Sequence, residues 1–347
     1  MKQKVENRVE VMGYLRENNL EAVSDPVKGR SIRGSITVAF DALNSIRIDV
    51  YAMESSPNKG TSNKAYESLM TLLPRSTTTI KDGLEGNPTA TFDTLKDVVT
   101  KIVAHCEFRE YAVKDEKGVE SSRTKIQLLN WFESIHTPKP GKAFEIGAQF
   151  TVDAYIESIR PEFKAANPGE QPEETGRYIV SGLTPDYSGT MHRIEYVTEA
   201  GSVSEFIAEH WSVGGTTYLT GKVSNLMKTE QKEGVQGGFG MKPMSSTVTT
   251  FIEERLILGG GNTTIDANEE GYTNAGFTSE DVKNGLVKRA EIVAKNTESR
   301  AAKSNSAPQA QAQPQAAKNF GFDPNPAPKA TGAAAQGGFG GFNPDAF

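Results

Sequence analysis

The sequence predicts a mainly β protein with two related five-stranded barrels in tandem, one C-terminal helix and a disordered tail. Short segments alternate apolar and polar residues with a period of two, which is typical of strands that bury one face. The order of strands and helix in the first half begins again after a Pro- and Gly-containing break at residues 136–142. Beyond residue 300 the chain is rich in Ala, Gln, Pro and Gly and has no apolar periodicity.

The first half is predicted to hold five strands and one helix. The predicted elements are strands over 9–15, 31–40 and 45–51, a helix over 64–73, and strands over 100–113 and 123–135. The turn residues 41–44 join the second and third strands into a meander, and the helix stops before Pro74 because proline disfavours helical backbone in the preceding residue. Five short strands with a helix between the third and fourth are typical of the OB-fold barrel, whose open face binds oligonucleotides.

The second half repeats this order. The predicted elements are strands over 150–159, 177–183 and 192–197, a helix over 202–211, and strands over 217–226 and 250–258. Residues 9–15 resemble 151–156, and residues 47–51 resemble 193–197, which puts Arg47 beside Arg193. We interpret this as a weak internal duplication; the alternative is two unrelated antiparallel domains. The predicted divisions are a first OB-like domain (1–136), a linker (137–143), a second OB-like domain (144–262), a helical region (263–299) and the tail (300–347).

Thr278-Ser279-Glu280-Asp281 is a capping box, and apolar residues follow it at helical spacing. It predicts an amphipathic helix over 279–298 that packs on the second barrel or binds a partner. In the tail, 321–324 (GFDP) and 341–344 (GFNP) are near copies, and the sequence closes on Phe347. Phenylalanines in a polar tail have no packing role, so Phe322, Phe342 and Phe347 are predicted to dock partner proteins rather than to act as spacer.

Composition argues against several classes of protein. A net charge of −6 disfavours coating of duplex DNA by charge alone, whereas a local basic groove with aromatic platforms remains compatible with single strands. The four histidines and the single Cys106 form no ligand set, and Cys106 is predicted to be a small buried hydrophobe. We find no nucleotide-binding or nucleophile motif, so neither an enzyme nor a cofactor or metal site is predicted; a nuclease is the enzymatic alternative. With no apolar leader or span, the expected location is the cytoplasm, or the host cytoplasm if the chain is phage-encoded.

The chain resembles single-stranded DNA-binding proteins of phages and plasmids and, more distantly, the bacterial SSB family. The resemblance covers nearly the whole chain, through the strand at 9–15, the helix and strand at 202–226, the loop 237–240 (GGFG), residues 254–260 and the flexible tail. It implies sequence-independent binding and protection of single-stranded DNA during replication, recombination or repair, with the tail docking enzymes of those processes. The tip 343–347 keeps the terminal Phe of that family but has one acidic residue where the family has several. The resemblance therefore implies docking through Phe347 and its carboxylate.

Single-strand binding requires aromatic rings for the bases and cations for the phosphates. The candidates in the first half are Arg30, Arg33, Phe40, Arg47, Tyr51, Tyr111, Arg123, Lys125 and Trp131. The candidates in the second half are Tyr155, Arg177, Tyr187, Arg193, Tyr218 and Lys222. Each ring could instead fill the barrel core or rim, and each cation could be an ordinary surface charge.

The alternation of the predicted strand over 45–51 predicts the orientation of two of these candidates. Arg47, Asp49 and Tyr51 share one strand face, while residues 46, 48 and 50 are apolar and share the other, so Arg47 and Tyr51 are predicted to point outward together. The expected partner is single-stranded DNA or RNA, with no membrane contact, and the sequence indicates no oligomeric state. The rival interpretation is a structural or virion interaction protein built from two β-domains.

Overall fold

The computed structural model describes residues 5–27, 29–55, 61–87, 89–130, 132–164, 171–232, 246–264 and 277–306. The strands are β1 (Asn7–Asn18), β2 (Glu21–Asp25), β3 (Gly29–Ala39), β4 (Ser45–Met53), β5 (Lys101–Lys114), β6 (Glu120–Leu128), β7 (Ile135–His136), β8 (Gly147–Phe163), β9 (Glu174–Pro185), β10 (Met191–Thr198), β11 (Thr216–Lys232) and β12 (Ser246–Gly260). The helices are α1 (Lys64–Thr71), α2 (Ile80–Gly86), α3 (Phe92–Leu95), α4 (Ser202–His210) and α5 (Ser279–Ser306). Within these ranges, no helix is long and apolar enough to cross a membrane.

The strands close into two barrels, which confirms the predicted fold class. In barrel 1, β1 pairs with β3, β3 with β4, β4 in parallel with β6, β6 with β5, and β5 with β1. In barrel 2, β8, β9, β10, β12 and β11 pair in the same cyclic order, again with one parallel pair, β10 with β12. Each barrel therefore has the five-strand connectivity of an OB-fold, with α1, α2 and α3 between the third and fourth strands of barrel 1 and α4 at the same place in barrel 2.

The sequence did not predict four elements, β2, β7, α2 and α3. The hairpin strand β2 pairs with β3, and the short β7 pairs with β5. The helices α2 and α3 begin at threonine N-caps, where the Thr79 hydroxyl accepts from the Asp82 N–H and the Thr91 hydroxyl accepts from the Thr94 N–H. They were missed because helices of seven and four residues carry too few turns to reveal an apolar period.

The two barrels share one core. β1 and β8 pair antiparallel, with Val9 opposite Phe150, and a single cluster of buried apolar side chains extends through both barrels. Phe108 from barrel 1 lies edge-on to Phe150 (ring centroids 5.6 Å apart) and to Tyr196 (6.2 Å) of barrel 2. The centre of the joint is therefore apolar, and the core is continuous through it. Cys106 is fully buried within it, as predicted, and burial raises the pKa of its thiol far above the ordinary value.

A pseudo-two-fold relation links the barrels, because the same hydrogen bond forms twice across their joint. The Glu110 N–H of barrel 1 donates to His192 Nδ1 of barrel 2 (3.2 Å). The Asn225 N–H of barrel 2 donates to Asn44 Oδ1 of barrel 1 (3.0 Å). Asn44 is thus the structural equivalent of His192, and Glu110 that of Asn225. This supports internal duplication over two unrelated domains.

The strand registers correct the alignment of Arg47 with Arg193. β1 and β8 each have a bulge two residues after a tyrosine, which makes Tyr14 and Tyr155 equivalent. Across the strands, Tyr14 leads to Ala39 and then Ser45 in barrel 1, and Tyr155 leads to Leu183 and then Arg193 in barrel 2. Arg193 is therefore the equivalent of Ser45, and Arg47 that of Glu195. The alignment was wrong by two residues because a shift of two keeps every side chain on its face, so alternation alone cannot detect it.

The helix α5 begins at the predicted cap and ends at Ser306, eight residues beyond the predicted end. Phe277, which precedes the helix, and Val282 in its first turn pack against Leu183 and Met191 of barrel 2. Further along, the Asn296 side chain donates to the Ala112 carbonyl of barrel 1 (3.2 Å). The prediction that the helix packs on the second barrel is confirmed, and it packs on the first as well. The tail phenylalanines Phe322, Phe342 and Phe347 lie outside the described residues.

Asp153 on β8 should make stability depend on pH. Its buried carboxylate accepts from the Glu6 N–H (2.7 Å), and burial raises its pKa to about 6 although that hydrogen bond opposes the shift. The folded state therefore takes up a proton more readily than the unfolded chain, whose aspartates titrate near pH ~3.9. The contribution of Asp153 to stability is fully present below that value and is lost as pH rises through about 6.

We expect Asp153→Asn to remove this dependence. Relative to the variant, the wild-type chain should lose about 1–2 kcal/mol of unfolding free energy between pH 4 and pH 7. Urea unfolding at four pH values in that interval measures the difference. Parallel stability curves for the two proteins would contradict the assignment.

Candidate nucleic-acid interface

The strand β4 presents the outward residues predicted from its alternation. Ile46, Ile48 and Val50 are buried in the barrel core. The Arg47 side chain is 71% exposed and Tyr51 is 44% exposed. The predicted outward orientation of Arg47 and Tyr51 is thus confirmed, and β4 forms the centre of an open sheet surface.

Neighbouring strands add like residues to this surface. Arg33 on β3 lies directly opposite Tyr51, and Asp49 lies beside Gln127 on β6 through the parallel pairing. On the next strand, Tyr111 of β5 lies opposite Arg123 of β6. Directly paired residues share a face, so the side chains converge on one outer side of barrel 1. We call this set the basic face; it consists of Arg33, Arg47, Asp49, Tyr51, Tyr111, Arg123 and Lys125.

Cations surround the Tyr111 ring. Arg123 Cζ lies 5.3 Å and Lys125 Nζ 5.1 Å from its centroid, within range of a cation–π interaction. Asp49 is the one carboxylate of the basic face; it accepts from Lys125 Nζ (2.9 Å) and Arg47 Nε (3.3 Å). The Arg47–Asp49 pair is exposed, and pairs of that kind are worth about 0–1 kcal/mol, so a phosphate can replace Asp49 as the partner of Arg47 at little cost. These seven residues comprise four basic side chains and one acid, and Glu21 of β2 lies opposite Arg33 at the edge of the face.

Three other candidates in the first half lie apart from this face. Arg30 is on the opposite side of β3 from Arg33 and pairs with Glu54 (3.4 Å). Phe40 is half-buried against the main core, so its ring packs in the barrel, as the alternative interpretation of the rings expected. Trp131 lies outside the described residues.

The basic candidates in barrel 2 are mostly engaged by carboxylates. Arg177 contacts Glu254 (Nη2, 3.2 Å) and Glu162 (Nε, 3.4 Å) and donates to the Thr198 carbonyl. Arg193 binds Glu157 through two nitrogens, at 2.6 and 2.9 Å. That hydrogen bonding raises the pKa of Arg193 above its usual value. Both guanidinium groups are thus engaged by carboxylates and are not free to bind a phosphate. The third basic candidate, Lys222 on β11, is exposed.

The aromatic candidates in barrel 2 are scattered. Tyr155 is half-buried against the apolar cluster beneath α5, and Tyr218 is half-buried beside Gly261. Tyr187 is 96% exposed, but it lies in the turn between β9 and β10. No stacking surface comparable to the Tyr51–Tyr111 side of barrel 1 forms from these three rings.

Arg109 was not predicted, although its alternation with Tyr111 on β5 could have revealed it. Its Nε donates to Glu107 (2.7 Å) and its Nη2 lies 3.6 Å from Asp186 of barrel 2. Burial disfavours the Asp186 carboxylate, yet hydrogen bonds from His192, Ser188 and Thr190 hold its pKa well below the usual value. Asp186 therefore stays anionic, and Arg109 joins the barrels instead of extending the basic face.

The connectivity of both barrels and the basic face on one of them define the chain as a tandem OB-fold protein. Residues 6–299 match the sequence profile of the YorF family. The chain belongs to the YorF family.

Two solved structures similar to the chain are of the single-stranded DNA-binding protein from Thermus aquaticus. The wild-type protein is 11% identical, with a TM-score of 0.38, over 77% of this chain and 98% of that one. A deletion mutant of that protein, which also carries a single substitution, is 10% identical over the same shares, with a TM-score of 0.39. No curated protein sequence matches the chain significantly.

Proposed function

We propose that this protein binds single-stranded DNA without regard to sequence and protects it during replication or recombination. The observation that supports this is the basic face, where Tyr51 and Tyr111 share one exposed side of a sheet with four cations. We further propose that binding needs no catalytic residue or cofactor. The predicted domain limits, 1–136 and 144–262, would then separate two barrels of one binding protein.

The chemistry of the basic face suits unpaired strands. Bases stacked on aromatic side chains contribute about 1–3 kcal/mol each, and every base has a ring face, so the interaction tolerates any sequence. Duplex DNA hides those faces in its own stack. A chain of net charge −6 has no overall attraction for phosphates, so the local arginines and lysine must supply it.

A titration of labelled oligo-dT, oligo-U and duplex DNA with the full chain tests this proposal. We expect oligo-dT to bind most tightly, with oligo-U as the measure of RNA binding. With four cations in contact, the slope of log K against log salt should be about −3, since each phosphate contact on a single strand contributes about −0.7. The absence of oligo-dT binding at micromolar protein in low salt would refute the function and favour a structural or virion role.

The tail is proposed to recruit replication or recombination enzymes through Phe322, Phe342 and Phe347. A comparison of the full chain with residues 1–306 separates that role from DNA binding, because α5 runs to Ser306 and remains intact. We expect both proteins to bind oligo-dT within about twofold of each other. A large loss of affinity in the shorter protein would assign the tail to DNA binding instead.

A further inference from the structure

The pseudo-two-fold relation allows the basic face to be compared position by position with barrel 2. Arg47 corresponds to Glu195, as the strand registers require. Four residues further along, Tyr51 corresponds to Glu199, which directly follows β10. The centre of the basic face, a cation and a ring, is thus occupied by two carboxylates in barrel 2.

The flanking strands show the same exchange. The parallel pairs Asp49–Gln127 and Val197–Leu256 are equivalent, so positions on β6 translate directly to β12. Counting back along these strands, Lys125 corresponds to Glu254 and Arg123 to Ile252. Barrel 2 therefore has an aliphatic residue where barrel 1 has Arg123, and an acid where barrel 1 has Lys125.

On the last strand, Tyr111 corresponds to Leu226, because Tyr111 pairs with Arg123 as Leu226 pairs with Ile252. The second ring is therefore lost as well. Arg33 corresponds to Arg177, the one cation retained, and Arg177 is engaged by Glu254 and Glu162. Over the seven positions, barrel 1 carries a charge of +3 and two tyrosines, and barrel 2 carries −2 and no ring.

We infer that single-stranded DNA is bound by barrel 1 alone, because the seven matching positions of barrel 2 offer no ring and no cation that is not engaged by a carboxylate. The inference rests on the proposed function and deepens it, since it assigns the site to one of two similar barrels. Glu195, Glu199 and Glu254 would lie where phosphates and bases approach. Carboxylates already engage the arginines beside them, since Glu195 pairs with Arg160 (3.1 Å) and Glu254 with Arg177 (3.2 Å). One chain should then occupy the length of a single OB-fold site, about 4–16 nucleotides, rather than twice that.

Matched charge reversals on the two barrels test this inference in the full chain. Arg47→Glu gives barrel 1 the acid that barrel 2 has at the same position, and Lys222→Glu reverses an exposed cation on the outer face of barrel 2. We expect Arg47→Glu to weaken oligo-dT binding at least fivefold and Lys222→Glu to change it less than twofold. Thermal unfolding of both variants shows whether each is folded, and Arg47→Ala, expected to bind at least twofold more weakly, replaces Arg47→Glu if that variant is unstable.

The outcomes separate the two proposals. No binding by the wild-type chain refutes the function itself. Wild-type binding that both reversals weaken equally, or a saturating ratio of two oligomers per chain on oligo-dT too short to span both barrels, overturns the one-barrel assignment while the function stands. Selective weakening by the barrel 1 reversal, with one short oligomer per chain, supports it.

Discussion

Replacing both Tyr51 and Tyr111 with alanine is expected to reduce the affinity for oligo-dT about 30-fold or more. Each ring is proposed to stack one base, and loss of a stacked base costs about 1–3 kcal/mol, or roughly five- to 150-fold. The cations remain in this variant, so the dependence of affinity on salt should change little. Equilibrium titration at three salt concentrations measures both quantities.

The matched control keeps the rings and removes the hydroxyl groups. The double variant Tyr51→Phe with Tyr111→Phe should bind within about twofold of the wild-type chain, because stacking and the cation–π contacts to Arg123 and Lys125 need only the ring. Tyr187→Ala removes the far more exposed tyrosine of the β9–β10 turn and should leave binding unchanged. If the Phe variant binds as poorly as the Ala variant, the tyrosines act through their hydroxyl groups and stacking is ruled out.

Replacing Arg289 with alanine is expected to destabilise the protein by about 3–5 kcal/mol, because it leaves the buried Glu110 carboxylate without a counter-ion, with the Arg193 N–H (3.0 Å) still donating to it. Arg289 on α5 donates to Glu110 through Nε (2.7 Å) and Nη2 (2.6 Å), and it also binds Glu120. The Glu110 side chain is only 2% exposed. Hydrogen bonding to Arg289 also lowers the pKa of Glu120, so that carboxylate is charged at neutral pH.

Urea unfolding of the variant measures this loss, and hydrogen exchange of the α5 amides shows whether the helix alone has detached. Lys283→Ala on the exposed side of the same helix is the control, with an expected change within about 0.5 kcal/mol. Arg289→Lys should fall between the two, since one ammonium cannot reproduce the paired donors. Wild-type unfolding together with wild-type exchange in Arg289→Ala would show that α5 is held by its apolar contacts alone.

The tyrosine substitutions change the basic face, whereas the Arg289 substitution changes the contact of α5 with the barrels. α5 contacts both barrels, through Val282 on barrel 2 and Asn296 on barrel 1, and thus holds them in one arrangement. The basic face lies on barrel 1, away from the carboxylates that engage Arg177 and Arg193 in barrel 2. The second barrel, on this proposal, contributes to the shared core and to rigidity, while the first supplies the binding chemistry.

Part of the candidate site follows from sequence alone. The alternation over 45–51 correctly places Ile46, Ile48 and Val50 inside and Arg47 with Tyr51 outside, because side-chain direction along a strand is a local property. The order of elements likewise predicts both barrels. Phe40 could not be assigned in this way, since it follows β3 and its burial depends on what packs over the turn.

The sequence by itself determined the ten barrel strands, their repeated order, the OB-type barrels and the outward direction of Arg47 and Tyr51, since each depends on residues close together in the chain. Only the tertiary structure decided that Arg33, Tyr111, Arg123 and Lys125 join them, and that Arg177 and Arg193 are engaged by carboxylates. It also decided that Arg47 matches Glu195 and not Arg193. The physical reason is register: which residues meet across a sheet is set by pairing between distant segments, and a slip of two residues leaves the alternation of each strand unchanged.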